Sequence, residues 1–269
     1  MDSPCYPHLA TQIGTANSSL GGVRGNTSVC IVAAGGNDLQ ELNNPYVILN
    51  SAVNPGAPVV APGVAPTAEQ LAQAQQVYLG NIVSTLAKFA GLLATDGLCD
   101  RVIVQNMPPM HRVPNTVAAI TTAVKKAVAA SFQVCPPYPT PCPGYDARIE
   151  QYSAFGIAAA IAGAKAAVVG INDGLAQAIS SMAAAGMPVS LFDAYALLTD
   201  ILDDPATYGF TNTSAPCMVS SAPINDPSAT LISTCSDPDK FVSWDGLHPT
   251  APVHALFGAK IAAALKGVL

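Results

Sequence analysis

Two short stretches of this chain hold residue types that can do chemistry together. The first is WDGLHPT, residues 244–250, where Asp245 and His248 stand three positions apart. A histidine that takes a proton from a nucleophile needs a carboxylate to hold its imidazole in the right tautomer, and one turn can supply both groups. Pro249 stiffens the exit from that turn, and a helix starting after Thr250 anchors it. The same residues also describe an Asp-Gly turn with a surface histidine ahead of a helix, and spacing alone does not choose between these. The second stretch is Gly35-Gly36-Asn37-Asp38. Glycines at the carboxyl end of a strand let the backbone turn tightly and a ligand approach closely. Gly36 and Asn37 are therefore candidates for an oxyanion and substrate site, with the Asn37 amide as a donor worth about 3 kcal/mol of transition-state binding. Asp38 braces the loop on this reading, and a plain Gly-Asn turn is the alternative.

These residues must be positioned by the elements around them. TSVCIVAA (27–34) is a continuous apolar, β-branched run, which predicts a strand buried on both faces. Further strands are expected at 101–106 and 187–193. Helices are expected at 7–20, at 67–94 with Thr67 as its cap, at 115–134, at 145–186, from Ala194, and after Thr250 with Pro252 in the first turn. A Pro-, Asn- and Gly-rich loop covers 43–66. Strands separated by long helices imply a parallel sheet covered on both faces, an α/β fold whose ligand site lies beyond the carboxyl ends of the strands. Gly35–Asp38, Asn106 and Asp193 all fall at such ends. Neither a linker nor an internal repeat is visible, so 1–269 reads as a single domain.

Composition narrows the partners. Half of the 269 residues are hydrophobic and 10% are charged, a globular balance. Eleven basic against seventeen acidic residues, with no basic cluster beyond Lys125-Lys126, argue against nucleic acid. The longest apolar run, Phe155 to Ile171, is broken by Lys165 and reads as a packed helix, so no stable membrane insertion is expected. Of seven cysteines, Cys135 with Cys142 and Cys217 with Cys235 flank irregular segments and suit disulfide staples, which favour an oxidising, secreted or periplasmic location. Cys30, inside an apolar strand, reads as a free core thiol, and Cys5 and Cys99 stay unassigned. No spacing of cysteines or histidines suits a metal ion, and no cofactor is called for. The start, MDSPCYPHLA, lacks the basic and apolar regions of a signal peptide.

Taken together, GGND after an early strand and DGLHPT before a carboxyl-terminal helix resemble the SGNH/GDSL hydrolase family. VIVQNMPPM is similar to the strand-plus-proline segment of GDSL-type lipases and esterases. VSLFDAYALLTDILDDPATYGFTN looks like the late segment of autotransporter-type and lipase-type members. The resemblance covers the chain from about Leu9 to its end. It implies a three-layer α/β/α, flavodoxin-like domain with a mostly parallel sheet, and a serine esterase or lipase working through an acyl-enzyme on a small-molecule or lipid ester. Asn37 then corresponds to the third-block asparagine, and Asp245 and His248 to the fifth-block pair.

Two blocks of that family have no counterpart here: the Gly-Asp-Ser-Leu motif with the nucleophile, and the block with a glycine donor. The residual hint is Ser3 in MDSP, which lacks a preceding strand to hold it in a sharp turn. The nucleophile is accordingly expected on a portion outside these residues. The alternative is a scaffold of the same fold that binds without turnover. A sheet lacking its first strand would expose edges, which predicts self-association. Ser243, His8, His111 and His254 read as structural, with His111 in a loop that could rim a cleft.

Overall fold

The computed structural model describes residues 28–61, 63–96, 99–131, 145–221 and 228–266. The helix expected at 7–20, Ser3, Cys5, His8 and the Cys135–Cys142 pair lie outside the described residues. The chain divides into two compact units, one formed by 1–107 with 169–194 and the other by 108–168 with 195–268.

The first unit is built on a parallel sheet of β1 (Val29–Val32), β2 (Arg101–Gln105) and β3 (Val189–Phe192), in the order β1-β2-β3. Cys30 pairs with Val102, and Val102 with Val189. Val102, Ile103 and Val104 of the central strand are all buried, as a strand covered on both faces requires. β1 departs from that expectation: Val29 and Cys30 are half-buried and Ile31 is 53% exposed, because β1 pairs with β2 alone among the described residues.

After β1 come the short helices α1 (Gly36–Gln40) and α2 (Pro45–Ile48), and then α3 (Ala68–Thr95). Thr67 closes a capping box at the start of α3: its hydroxyl accepts from Gln70 N at 3.1 Å and its N–H donates to Gln70 Oε1 at 2.9 Å. Ala74, Tyr78, Ile82, Leu86, Ala90 and Leu93 recur at helical spacing and are buried. Asn54 ties the 43–66 loop to α3 by donating to the carbonyls of Ile48 and Ala74.

Cys30 is bonded to Cys99, with Cα atoms 5.8 Å apart, which corrects the reading of Cys30 as a free thiol. Parallel pairing sets Val29 beside Arg101, and that register brings Cys99 within disulfide reach although the two cysteines are 69 residues apart.

The second unit takes α4 (Pro114–Ser131), the first part of α5 (Tyr145–Ala184), most of α6 (Ala194–Asp203), and α7 (Ala251–Leu265). Its strands are β4 (Asn212–Pro216) paired in parallel with β7 (Phe241–Ser243), and β5 (Met218–Ser220) antiparallel to β6 (Leu231–Thr234). The segment read as an irregular loop between Cys217 and Cys235 thus carries two strands, closed by the disulfide expected there. Leu197, Leu198, Ile201, Phe210, Val242, Val253 and Phe257 are among its buried apolar residues.

Two helical stretches, Ala68–Thr95 and Ile149–Ala184, are long and apolar enough to cross a bilayer by length and composition alone. Isolated charges such as Lys88 and Lys165 interrupt both stretches.

Candidate active site

The turn between β7 and α7 brings Asp245 and His248 into contact, with His248 Nδ1 2.6 Å from Asp245 Oδ2. The other carboxylate oxygen, Oδ1, accepts from Leu247 N at 3.0 Å and His248 N at 2.7 Å. Burial raises the pKa of the Asp245 carboxyl. The hydrogen bonds from the His248 backbone and ring and from Leu247 N, with the nearby imidazole, outweigh it and leave the pKa below the ordinary carboxylate value. The carboxylate side chain is 9% exposed and the imidazole 61%. Nδ1 is thus engaged and Nε2 carries no hydrogen bond among the described residues, the orientation a general base needs toward a nucleophile.

Local sequence explains the turn's shape. Gly246 has φ +91°, a conformation that favours glycine, and its N–H donates to Ser243 Oγ at 2.9 Å. Trp244 N donates to His248 O at 2.8 Å and closes the turn on itself. Ser243, read as structural, braces it. Met218 N donates to Trp244 O and Cys217 N to Ser243 O, so the disulfide-closed segment is stitched to the strand that leads into the turn. Thr250 precedes α7 as expected, but its hydroxyl donates to Phe241 O at 2.6 Å and makes no helix cap.

Beside His248 is an apolar hollow lined by Val113, Pro114, Leu198, Leu202, Val242 and Leu247. Arg112 also lines it, with its guanidinium paired to Asp203 at 2.7 Å. Asn115 donates to the turn's backbone at Asp245 O and Gly246 O. Arg112, Val113 and Pro114 belong to the His111 loop expected to rim a cleft, whereas sequence reasoning missed Asn115, which lies 130 residues from Asp245 with nothing local to Pro114-Asn115 to signal the contact.

Gly36 and Asn37 belong to the first unit and open α1. Gly35, with φ +99°, precedes that helix without a side-chain cap bond, and Leu39 N donates to its carbonyl at 3.0 Å. A Cβ on Gly35 would overlap the end of the Met107 side chain and press on Ile82, so glycine permits this close packing. Asn37 is exposed, and its amide makes no hydrogen bond among the described residues. Nearby, burial pushes the Tyr78 phenol up to about 12, with the carboxylates of Asp38 and Glu41 adding to the effect.

The other residues placed at strand ends hold structure. Asn106 donates to Asp193 Oδ1 at 2.8 Å, and Asn172 brackets Met107 by accepting from its N–H and donating to its carbonyl. His111 is buried against the Tyr195 ring, with Nδ1 lacking any partner, while His254 is exposed on α7. Among the described residues no group of three His, Cys, Asp or Glu side chains is placed to hold a metal ion.

The profile of the GDSL-like lipase/acylhydrolase family matches residues 10–261. The chain is 32% identical over 106 residues to the thermolabile hemolysin of Vibrio parahaemolyticus, covering 36% of this chain and 24% of that protein. It is 37% identical over 68 residues to a GDSL esterase/lipase of Arabidopsis thaliana, covering 24% and 18% of the two chains. A further match, 34% identical over 71 residues, is to the anther-specific proline-rich protein of the same plant, covering 24% and 13%. The matched stretches thus span about a quarter or less of these relatives' own length.

Proposed function

Because this chain belongs to the GDSL-like lipase/acylhydrolase family, we propose that it hydrolyses carboxylic esters through an acyl-enzyme, with His248 as general base and acid and Asp245 as its orienting carboxylate. The observation that carries this reading is the 2.6 Å contact between His248 Nδ1 and Asp245 Oδ2, in a turn that leaves Nε2 unbonded. His248 would take the proton of a serine and return it to the leaving alcohol, and Asp245 would stabilise the imidazolium that forms between those steps. Asn37, with its free amide on α1, would donate to the oxyanion beside the Gly36 backbone. On this reading the domain is a three-layer α/β/α fold and the substrate a small-molecule or lipid ester. The apolar hollow beside His248 suits a small apolar acyl or alcohol group. The two disulfides suit a secreted or periplasmic protein that works without nucleic acid or stable membrane insertion.

The test is intact mass after incubation with a fluorophosphonate, beside His248→Ala. A single adduct that requires His248, mapped by peptide analysis to one serine, supports the proposal and identifies the nucleophile. A folded chain that gains no adduct and hydrolyses no p-nitrophenyl ester overturns it, in favour of a scaffold that binds without turnover.

A further inference from the structure

We propose that Asn115 is a positioning residue for the Asp245–His248 pair, holding from the start of α4 the turn that aims the carboxylate. The inference rests on the reading of that pair as the general-base apparatus. Its geometry, however, can be tested whether or not the chain turns over an ester.

Asn115 Nδ2 donates to Asp245 O at 3.1 Å, and Asn115 N donates to Gly246 O at 2.9 Å. One residue therefore grips two consecutive carbonyls of the turn. Asn115 N is among the first donors of α4, which have no partner inside their own helix, and the Gly246 carbonyl takes the place of a cap.

Peptide planarity carries the effect to the carboxylate. The Gly246 carbonyl and the Leu247 N–H share one rigid plane, so anchoring that carbonyl on Asn115 N aims the N–H, which donates to Asp245 Oδ1 at 3.0 Å. The Asp245 carbonyl and the Gly246 N–H share the preceding plane. That plane is held at one end by Asn115 Nδ2 and at the other by Ser243 Oγ at 2.9 Å. Both peptides of the turn are thus clamped at both ends, with Asn115 contributing to each clamp. Once Oδ1 is occupied by two backbone donors, Oδ2 is left for His248 Nδ1. Gly246 allows the close approach, since a Cβ there would fall on the Asn115 amide.

The experiment compares the full chain with Asn115→Ala and the isosteric Asn115→Asp. Asn115 is exposed, so neither change opens the core. Asn115→Asp keeps the shape and the backbone N–H but loses the amide donor. We expect both variants to weaken or lose the downfield His248 Nδ1–H resonance in proton NMR. The Asp245 carboxyl, followed by its side-chain carbon signal, should titrate closer to the ordinary carboxylate value in both. On an ester substrate kcat should fall roughly 10- to 100-fold with KM unchanged, the scale of a small misplacement of a catalytic group. A space-filling role would leave Asn115→Asp like the parent protein in all three readouts. Parent-like NMR and titration in both variants would overturn the proposal. Absence of esterase activity in the parent protein would count against the proposed function alone, because the two spectroscopic readouts still decide the role of Asn115.

Discussion

The turn carrying Asp245 and His248 and the turn carrying Gly36 and Asn37 are both built around a glycine with positive φ, yet they are held by different forces. At 244–248, backbone and side-chain groups of Ser243, Asn115, Leu247 and His248 fix the peptide planes and the carboxylate by hydrogen bonds. At 35–38, packing dominates: Gly35 fits beneath Met107, Ile82 and Leu86, no side chain caps the helix, and the Asn37 amide is unpartnered. The contrast follows from what each turn would have to do. A general-base pair must have two side chains oriented before substrate arrives, whereas an oxyanion donor is useful only while its N–H groups are free to bind.

The sharpest test of that contrast is the loss of activity when each turn's functional group is removed. His248→Ala should lower kcat by at least about 10⁴-fold, the scale seen when a member of a hydrolytic triad is lost. Asn37→Ala should cost about 10²- to 10³-fold in kcat with KM nearly unchanged, as for one oxyanion donor. Rates of p-nitrophenyl acetate hydrolysis measure both. Equal losses, or a loss at Asn37 confined to KM, would break the division of labour between the turns.

The glycines sharpen it further, on stability. Alanine at either position must adopt a left-handed backbone, at about 1–2 kcal/mol. Gly35→Ala overlaps the flexible end of Met107 and presses only lightly on Ile82, so the total should stay near that figure. Gly246→Ala meets the Asn115 amide, and displacing it forfeits the Nδ2 bond to Asp245 O, worth about 1 kcal/mol, for a total of about 2–3 kcal/mol. Urea melts of the two variants should show the larger drop for Gly246→Ala. The reverse order would mean that the packed turn, and not the hydrogen-bonded one, is the stiffer.

What could be read in the sequence was what local spacing encodes. Asp245 and His248 meet because three residues of a turn separate them. Thr67 caps α3 because Gln70 stands in the reciprocal position, and Val102, Ile103 and Val104 are buried because β2 has a neighbour on each side. The misreadings share the opposite cause. The Cys30–Cys99 bond depends on the β1–β2 register, the exposure of Ile31 on β1 having one paired neighbour among the described residues, and the Asn115 contact on where α4 starts in the fold. Composition near those residues carries no trace of partners 69 or 130 positions away.

Acid should separate the satisfied carboxylate of the second unit from its unsatisfied imidazole, and this is the smallest effect expected. Asp245 and His111 both titrate below their ordinary values, for unlike reasons. Asp245 is held ionised by its hydrogen bonds, against the opposing effect of its burial. His111 is kept neutral by burial, with the charges of Lys165 and Arg112 acting in the same direction, and its Nδ1 has no partner to favour the proton. A depressed folded pKa means that the unfolded chain binds the proton first. The His111 contribution is therefore complete above the ordinary histidine value of 6.5 and is lost as pH falls through the folded value. The Asp245 contribution is complete above the ordinary carboxylate value of 3.8 and is lost at lower pH still. Melting temperature against pH should thus decline in two stages. His111→Phe keeps a ring against Tyr195 and removes the buried nitrogens, so it should flatten the upper stage and leave the lower one. Asp245→Asn should remove the lower stage and leave the upper. If His111→Phe left the upper stage in place, the imidazole would be gaining its proton in the fold as readily as in the unfolded chain, and the orphaned Nδ1 would have to find a partner on protonation.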